Sequence, residues 1–328
     1  MIISASRRTD IPAYFTEWFL NRVKEGYAVV RNPMNAKQLS RISLDPELVD
    51  CIVFWTKNPV PLIPRLDELK DYCYYFQFTL TGYGKDIERN LPDKKKVLIP
   101  AFQQLADKIG PERVIWRYDP IMINNRYPLD WHYRAFEEIA GCLKGYTEKC
   151  VFSFVDDYFK IKKTLDDMGI YYPSDEEMRD MAIRIREIAG ANNMKVATCA
   201  EKIDLEDLGI DHNACIDKAL VERLTGGKIK DTKKNLKDAA QRNDCKCMPS
   251  KEIGCHNTCS NGCIYCYANY SPESVKKSMA KYDPKSPILC DTINPGEEVK
   301  DATDQKRLVQ YDQQISMFDM LMPDRKDG

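Results

Sequence analysis

The sequence predicts an α/β fold: a (β/α) barrel or partial barrel of parallel strands, followed by a cysteine-rich loop and a polar tail. Two observations carry this. Short runs rich in Val, Ile, Phe, Tyr and Trp recur at Ile2–Ser6, Cys51–Thr56, Tyr74–Leu80, Val114–Tyr118, Val151–Val155 and Val196–Cys199. Most are too apolar for a sheet with one wet face, as expected of parallel strands covered by helices. Helix-like segments separate them, and strand–helix–strand repetition implies right-handed crossovers and a parallel sheet. With 328 residues and a hydrophobic fraction of 43%, the chain can fill a core of that size.

The helices are punctuated by their own chemistry. Leu98–Ile109 stops at Gly110-Pro111, a C-terminal glycine followed by a helix breaker. Ser174 with Glu177 three residues on forms a capping box. Met178, Met181, Ala182, Ile185, Ile188 and Ala189 then make one apolar face, which Gly190 ends. Further helices are expected over Asn213–Thr225 and Lys228–Arg242, and Val29–Leu44 reads as an inserted loop or extra strand pair. After Tyr282 the chain turns polar and carries Pro284, Pro287 and Pro295, as a surface wrap would. The organisation expected is a barrel-like domain over 1–244, a cysteine-rich loop over 245–270 closing its mouth, and a helix with tail over 271–328.

Charge narrows the function classes. Lys+Arg is 49 against Asp+Glu 50, which excludes a uniformly basic nucleic-acid coat protein. A charged fraction of 30% beside that apolar content excludes a disordered chain. No apolar run approaches the ~20 residues of a membrane helix. The start, MIISASRRTD, lacks the order of a signal peptide, so a cytoplasmic location is expected.

Parallel barrels place their sites at the C-terminal ends of strands. Here the strands run out into Ser6-Arg7-Arg8-Thr9-Asp10, Trp55-Thr56-Lys57-Asn58, Arg117-Tyr118-Asp119-Pro120, Ser153–Asp156 and Cys199-Ala200-Glu201. Alternate strand residues share a face, so Arg117 and Asp119 can both point into the mouth. Lys57, Arg117, Asp119, Asp156 and Glu201 are the candidate catalytic residues. Lys57 and Arg117 serve as anion contacts, and Asp156 and Glu201 as acid/base groups. Arg7, Arg8, Asp10 and Asn58 are candidate cofactor-binding residues. Two bland readings stand beside these: Asp10, Asn58 and Asp156 as helix caps, and the charges as a buried ion-pair network.

The 13 cysteines are unevenly placed. Cys51, Cys73, Cys142, Cys150, Cys199, Cys215 and Cys290 are scattered and read as small buried hydrophobes. Cys245, Cys247, Cys255, Cys259, Cys263 and Cys266 crowd together and read as metal ligands. Cys259, Cys263 and Cys266 form C-x3-C-x2-C, with Tyr265 before the last. Three thiolates in so tight a loop can hold three irons of a [4Fe–4S] cluster and leave the fourth open. The ferredoxin spacing differs. Structural zinc is the alternative, with His256 as a further donor. Cys245 and Cys247 are candidates for a fourth ligand or a second metal.

Ser4–Asp10, Phe54–Pro59, Trp116–Pro120 and the terminal cysteines together resemble a bacterial and archaeal domain family of unknown function. Its C-terminal cysteines are likened to the radical SAM cluster loop. The resemblance spans about residues 1–270. It implies a [4Fe–4S] cofactor, S-adenosylmethionine at the open iron and an external electron donor. In ordinary radical SAM proteins the cysteine loop follows the first strand, whereas here it follows all six, which a circular permutation would reconcile. No Gly-Gly-Glu run follows a strand.

Two further segments bear on partners. Lys228, Lys230, Lys233, Lys234, Lys237, Arg242 and Lys246 outnumber the acids among them, as in a helix touching phosphates or a solvated helix face. Gln314-Ile315-Ser316-Met317-Phe318 resembles the peptide by which bacterial repair and replication proteins bind the sliding clamp, with Met317 and Phe318 as pocket-filling groups. The alternative is a short helix docked on the barrel. The expectation is a radical SAM-like iron–sulfur enzyme acting on a polar or anionic substrate, in nucleic-acid repair or modification. A metal-stabilised nucleic-acid or clamp-associated module and a hydrolase-like barrel with structural zinc are the alternatives.

Overall fold

The fold was analysed in a computed structural model that describes residues 1–156, 159–232, 237–239 and 241–311. Strand β1 (Ile2–Ser4) is followed by the short helix α1 (Ile11–Tyr14) and by α2 (Thr16–Glu25). The segment expected to be a loop or strand pair is an antiparallel pair, β2 (Tyr27–Asn32) and β3 (Asn35–Ser43). The regular alternation then runs through β4 (Cys51–Thr56), β5 (Tyr74–Thr79), α3 (Ile99–Ile109), β6 (Val114–Ile121), α4 (Leu129–Leu143) and β7 (Lys149–Phe154). Helices α5 (Phe159–Asp167) and α6 (Asp175–Ala191) lead to β8 (Lys195–Thr198) and β9 (Asp211–His212). The capping box at Ser174 is formed in both directions.

These strands make one eight-stranded sheet in the order β11-β1-β4-β5-β6-β7-β8-β9, with β11 being Lys251–Glu252. Every pairing in it is parallel. Apart from β11, spatial order follows chain order, as successive right-handed crossovers require. The sheet is open: among the described residues no pairing joins β9 to β11, so the closed barrel is not seen.

Strand periodicity sorts the two faces. Ile3, Ile52, Phe54, Phe76, Phe78, Trp116 and Phe152 lie on one face in the main core with the helices. Trp116 stacks on Phe136 of α4, ring centroids 4.6 Å apart, and its indole N–H donates to the Leu80 carbonyl at 2.8 Å. The other face starts apolar, with Ile2, Val53, Tyr75, Ile115 and Val151. Cys215, Ile216, Cys247 and Met248 cover it, coming from the later chain.

Two expected helices differ. Of Asn213–Thr225 only Lys218–Thr225 (α7) is helical, because Asp217 caps it by accepting from the Ala219 and Leu220 N–H groups. Lys228–Ile229 is a strand, β10, paired antiparallel with Val309–Gln310; residues 233–236 and 240 lie outside the described residues. Three described cations of this stretch are met by acids: Lys228 by Glu222 at 3.5 Å, Lys246 by Glu206 at 3.6 Å and Arg242 by Asp156. No described helix is long and apolar enough to cross a membrane.

The approach of the chain after β11 to the end of β1 requires glycine. A Cβ on Gly254 would stand 1.9 Å from Ser6 Oγ and 2.4 Å from Ser6 Cβ. Gly254→Ala is therefore expected to cost about 1–3 kcal/mol, as overpacking does. Gly141→Ala, in α4 with nothing within 4 Å of the added Cβ, should instead gain about 0.5–1 kcal/mol. Denaturant titration of both variants checks the contrast.

Candidate functional site

A cavity of 690 Å³ opens at the C-terminal ends of the parallel strands. Its wall is the upper part of the sheet face that starts apolar: Trp55 pairs with Gln77, and Thr79 with Arg117, one strand step beyond Val53, Tyr75 and Ile115. Arg7, Arg8, Asp10, Lys57, Arg117, Asp119 and Asp156 all border it. So do Cys245, Cys247, Cys259, Cys263 and Cys266. Asn58 and Glu201 do not border it; the Asn58 side chain accepts from the Val60 N–H in a local turn.

Asp10 is the most engaged of these groups. Its carboxylate accepts from Thr56 Oγ1 at 2.7 Å, Lys57 N at 2.8 Å, Asn261 Nδ2 at 3.1 Å and Ala13 N at 3.1 Å. Burial raises its pKa, and these four donors oppose the rise. With its lone pairs used, Asp10 holds the ends of β1 and β4 and the cysteine loop together. It also caps α1, so the capping role and the position at the site are one.

Lys57 points toward the cysteine loop. Its ammonium donates to Glu88 Oε1 and to the Tyr265 hydroxyl, each at 2.8 Å. Burial works against the charge, but Glu88 and then Cys263 outweigh it and raise the Lys57 pKa. Glu88 is fully buried, and its second oxygen accepts from Thr81 Oγ1 at 2.9 Å and from Lys94. Burial alone would raise its pKa; Lys57 and Lys94 hold it well below the usual carboxylate range. Sequence reasoning missed Glu88 and Lys94. Tyr265, the aromatic before the last cysteine, thus has a concrete partner set.

Arg117, buried, and Asp119, half-buried, form an ion pair, as the bland reading has it, yet they border the cavity. Arg117 Nε donates to Asp119 Oδ2 at 3.2 Å, and Nη1 donates to Cys215 Sγ at 3.0 Å. Ser153 donates to the other oxygen of Asp119. Burial acts to raise the Asp119 pKa, but Arg117 and Ser153 bring it below the ordinary value. Asp156 is half exposed and paired with Arg242. Glu201 accepts from the Phe154 N–H at 2.8 Å, and burial, with Asp156 and Asp119 nearby, pushes its pKa up to about 8. It is the group suited to carry a proton at neutral pH.

The cysteine loop is docked by its own backbone. Glu88 bridges antiparallel to Cys263, the Ile264 N–H donates to Ile87 O at 3.0 Å, and the Asn90 N–H donates to Asn261 O at 3.1 Å. Gly262 has φ +68°, and a Cβ there would meet Asn90 Nδ2 at 2.9 Å. Asn261 is buried and also accepts from the Tyr14 hydroxyl at 2.8 Å. Burial pushes the Cys263 thiol up to about 12, with Lys57 pulling the other way. Cys255 does not border the cavity; its electrostatic neighbours include Asp291, Arg8 and Lys281. Among the described residues no three His, Cys, Asp or Glu side chains already surround a single metal-sized point. Two buried polar atoms on cavity-lining residues, Arg7 Nη2 and Thr9 Oγ1, have no hydrogen-bond partner among the described residues. Gln314–Phe318, the clamp-like peptide, lies outside the described residues.

The raised Glu201 pKa fixes a pH dependence. The unfolded chain ionises this group near the ordinary glutamate value, about 4.3, and the folded chain near about 8. Between these limits the folded state binds more protons, so this contribution to stability is full below the lower value and is lost as pH rises through the upper one. Glu201→Gln should remove that decline. Denaturation midpoints of wild type and variant are expected to converge at the acid end and to separate in the variant's favour toward about pH 8.

Comparison with curated proteins finds no match to the chain. The family model described as "Domain of unknown function (DUF1848)" matches residues 2–268. That span takes in every strand of the parallel sheet and the loop with Cys259, Cys263 and Cys266. The chain belongs to this family of domains of unknown function.

Proposed function

We propose that the chain is a radical SAM-like [4Fe–4S] enzyme acting on a polar or anionic substrate held in the strand-end cavity. One placement carries this reading. The loop with Cys259, Cys263 and Cys266 comes directly after β11, and β11 lies beside β1 at the edge of the parallel sheet. The loop is late in the chain but follows the strand that stands first in space. That is the relation of strand and loop in ordinary radical SAM proteins, reached by a permuted chain order.

The donor set fits the group. All three cysteines border the cavity, while Cys255 does not. A cubic cluster gives each cysteine a different iron, so the thiols need not converge on one point. When bound, with S-adenosylmethionine at its open iron, the cluster supplies an electron for radical chemistry that belongs to the cofactor. The chain's own groups would do the rest. Arg7 Nη2 and Thr9 Oγ1, buried and without a partner among the described residues, would donate to an anionic group such as a carboxylate. Lys57, fixed by Glu88 and Tyr265, holds positive charge beside Cys263 and stabilises its thiolate. Arg117 with Asp119 orients polar substrate groups. Glu201 holds a proton close to Asp119 and Asp156.

The test is iron content. Protein purified and reconstituted anaerobically should show a broad absorbance at the visible–ultraviolet boundary, and Cys263→Ala should lose that absorbance and most of the iron. Wild-type protein holding zinc and no iron after reconstitution would contradict the reading.

A further inference from the structure

Four cysteines outside the Cys259–Cys266 loop meet at another part of the cavity wall. Cys199 follows β8, Cys215 lies between β9 and α7, and Cys245 and Cys247 precede β11. Cys199 Sγ and Cys215 Sγ are 3.4 Å apart. Cys215 and Cys247 are neighbours, the Cys215 N–H donating to Cys247 Sγ at 3.2 Å, and Cys245 lies within electrostatic range of Cys247. The ends of this string, Cys199 and Cys245, lie within electrostatic reach of each other.

Donors face two of these sulfurs. Arg117 Nη1 donates to Cys215 Sγ at 3.0 Å. The backbone N–H groups of Cys215 and Ile216 donate to Cys247 Sγ at 3.2 Å and 3.4 Å. The Arg7 guanidinium is within electrostatic range of Cys247, Cys215 and Cys245. Neutral thiols packed as small hydrophobes need no such donors.

We infer that Cys199, Cys215, Cys245 and Cys247 form a second centre, a four-thiolate site for a thiophilic metal, separate from the Cys259–Cys266 loop. Four thiolates on a divalent ion carry two net negative charges; the Arg7 guanidinium faces three of the sulfurs, and Arg117, which also pairs with Asp119, faces Cys215. Sulfurs around tetrahedral zinc, at about 2.3 Å from the metal, stand about 3.8 Å apart, and the Cys199–Cys215 separation of 3.4 Å is close to that edge. The sulfurs run as a string and not as a closed shell, so ligation must draw Cys245 round toward Cys199. A closed four-ligand site of this kind is structural. It ties the end of β8 and the turn after β9 to the segment that delivers β11 and the cysteine loop.

The centre does not depend on the function proposed above, and metal analysis separates the two. The full-length Cys263→Ala variant, with the loop site broken, should still hold about one equivalent of bound metal per site. In wild type, Cys199→Ser and Cys247→Ser should each remove that metal. Zinc, or iron without sulfide, marks the single ion and upholds the centre. Should the serine variants fail to fold, cobalt(II) added to chelator-stripped Cys263→Ala protein should give the strong visible bands of tetrahedral thiolate coordination. Metal content unchanged in both serine variants, no metal and no cobalt bands in Cys263→Ala, or a Cys199–Cys215 disulfide in anaerobically purified protein would overturn the inference. If iron is absent throughout while zinc follows Cys199 and Cys247, the enzyme reading falls and this centre stands.

Discussion

The buried carboxylate of Asp10 is the constraint on which the site depends. It stands where β1 ends and accepts from the end of β4 through Thr56 and Lys57, from α1 through Ala13, and from the cysteine loop through Asn261. A buried carboxylate is tolerable only when such donors replace water. The four donors therefore cannot be moved independently. Asn261 in turn engages Tyr14 and the Asn90 backbone, so a loop far along the chain is registered against the first strand.

Electrostatics organise what that knot positions. The sheet face changes from apolar at its base to polar at its mouth within two residues along each strand. Strand alternation and parallel register put Lys57, Arg117 and Asp119 into one cavity. The Glu88 carboxylate lies between two lysines, and one of them faces Cys263. Arg117 faces Asp119 on one side and Cys215 on the other. In both places a buried cation has a carboxylate partner and a sulfur neighbour. That arrangement holds positive charge next to cysteines without leaving it uncompensated.

Much of this was legible from local pattern. The strands at Cys51–Thr56 and Tyr74–Thr79 announce themselves by β-branched and aromatic runs, and the Ser174 capping box by its spacing. The groups that escaped are those whose role is made by distant contacts. Glu88 sits in a charged connection, Asp86-Ile87-Glu88-Arg89, with nothing local to show that the cysteine loop buries it. Cys199 and Cys215 look like lone hydrophobes until the sheet sets them beside Cys247. The expected helix at Lys228–Arg242 ignored acids such as Glu222 and Asp156, which lie outside it in sequence and pair with Lys228 and Arg242.

The central claim is that the cysteine loop at the edge of the parallel sheet carries a cluster with an iron open to S-adenosylmethionine. Electron paramagnetic resonance of the anaerobically reconstituted, reduced protein tests it most directly. The account predicts a [4Fe–4S] signal whose shape changes when S-adenosylmethionine is added. A signal that S-adenosylmethionine leaves unaltered, or protein that takes up no cluster, would contradict it.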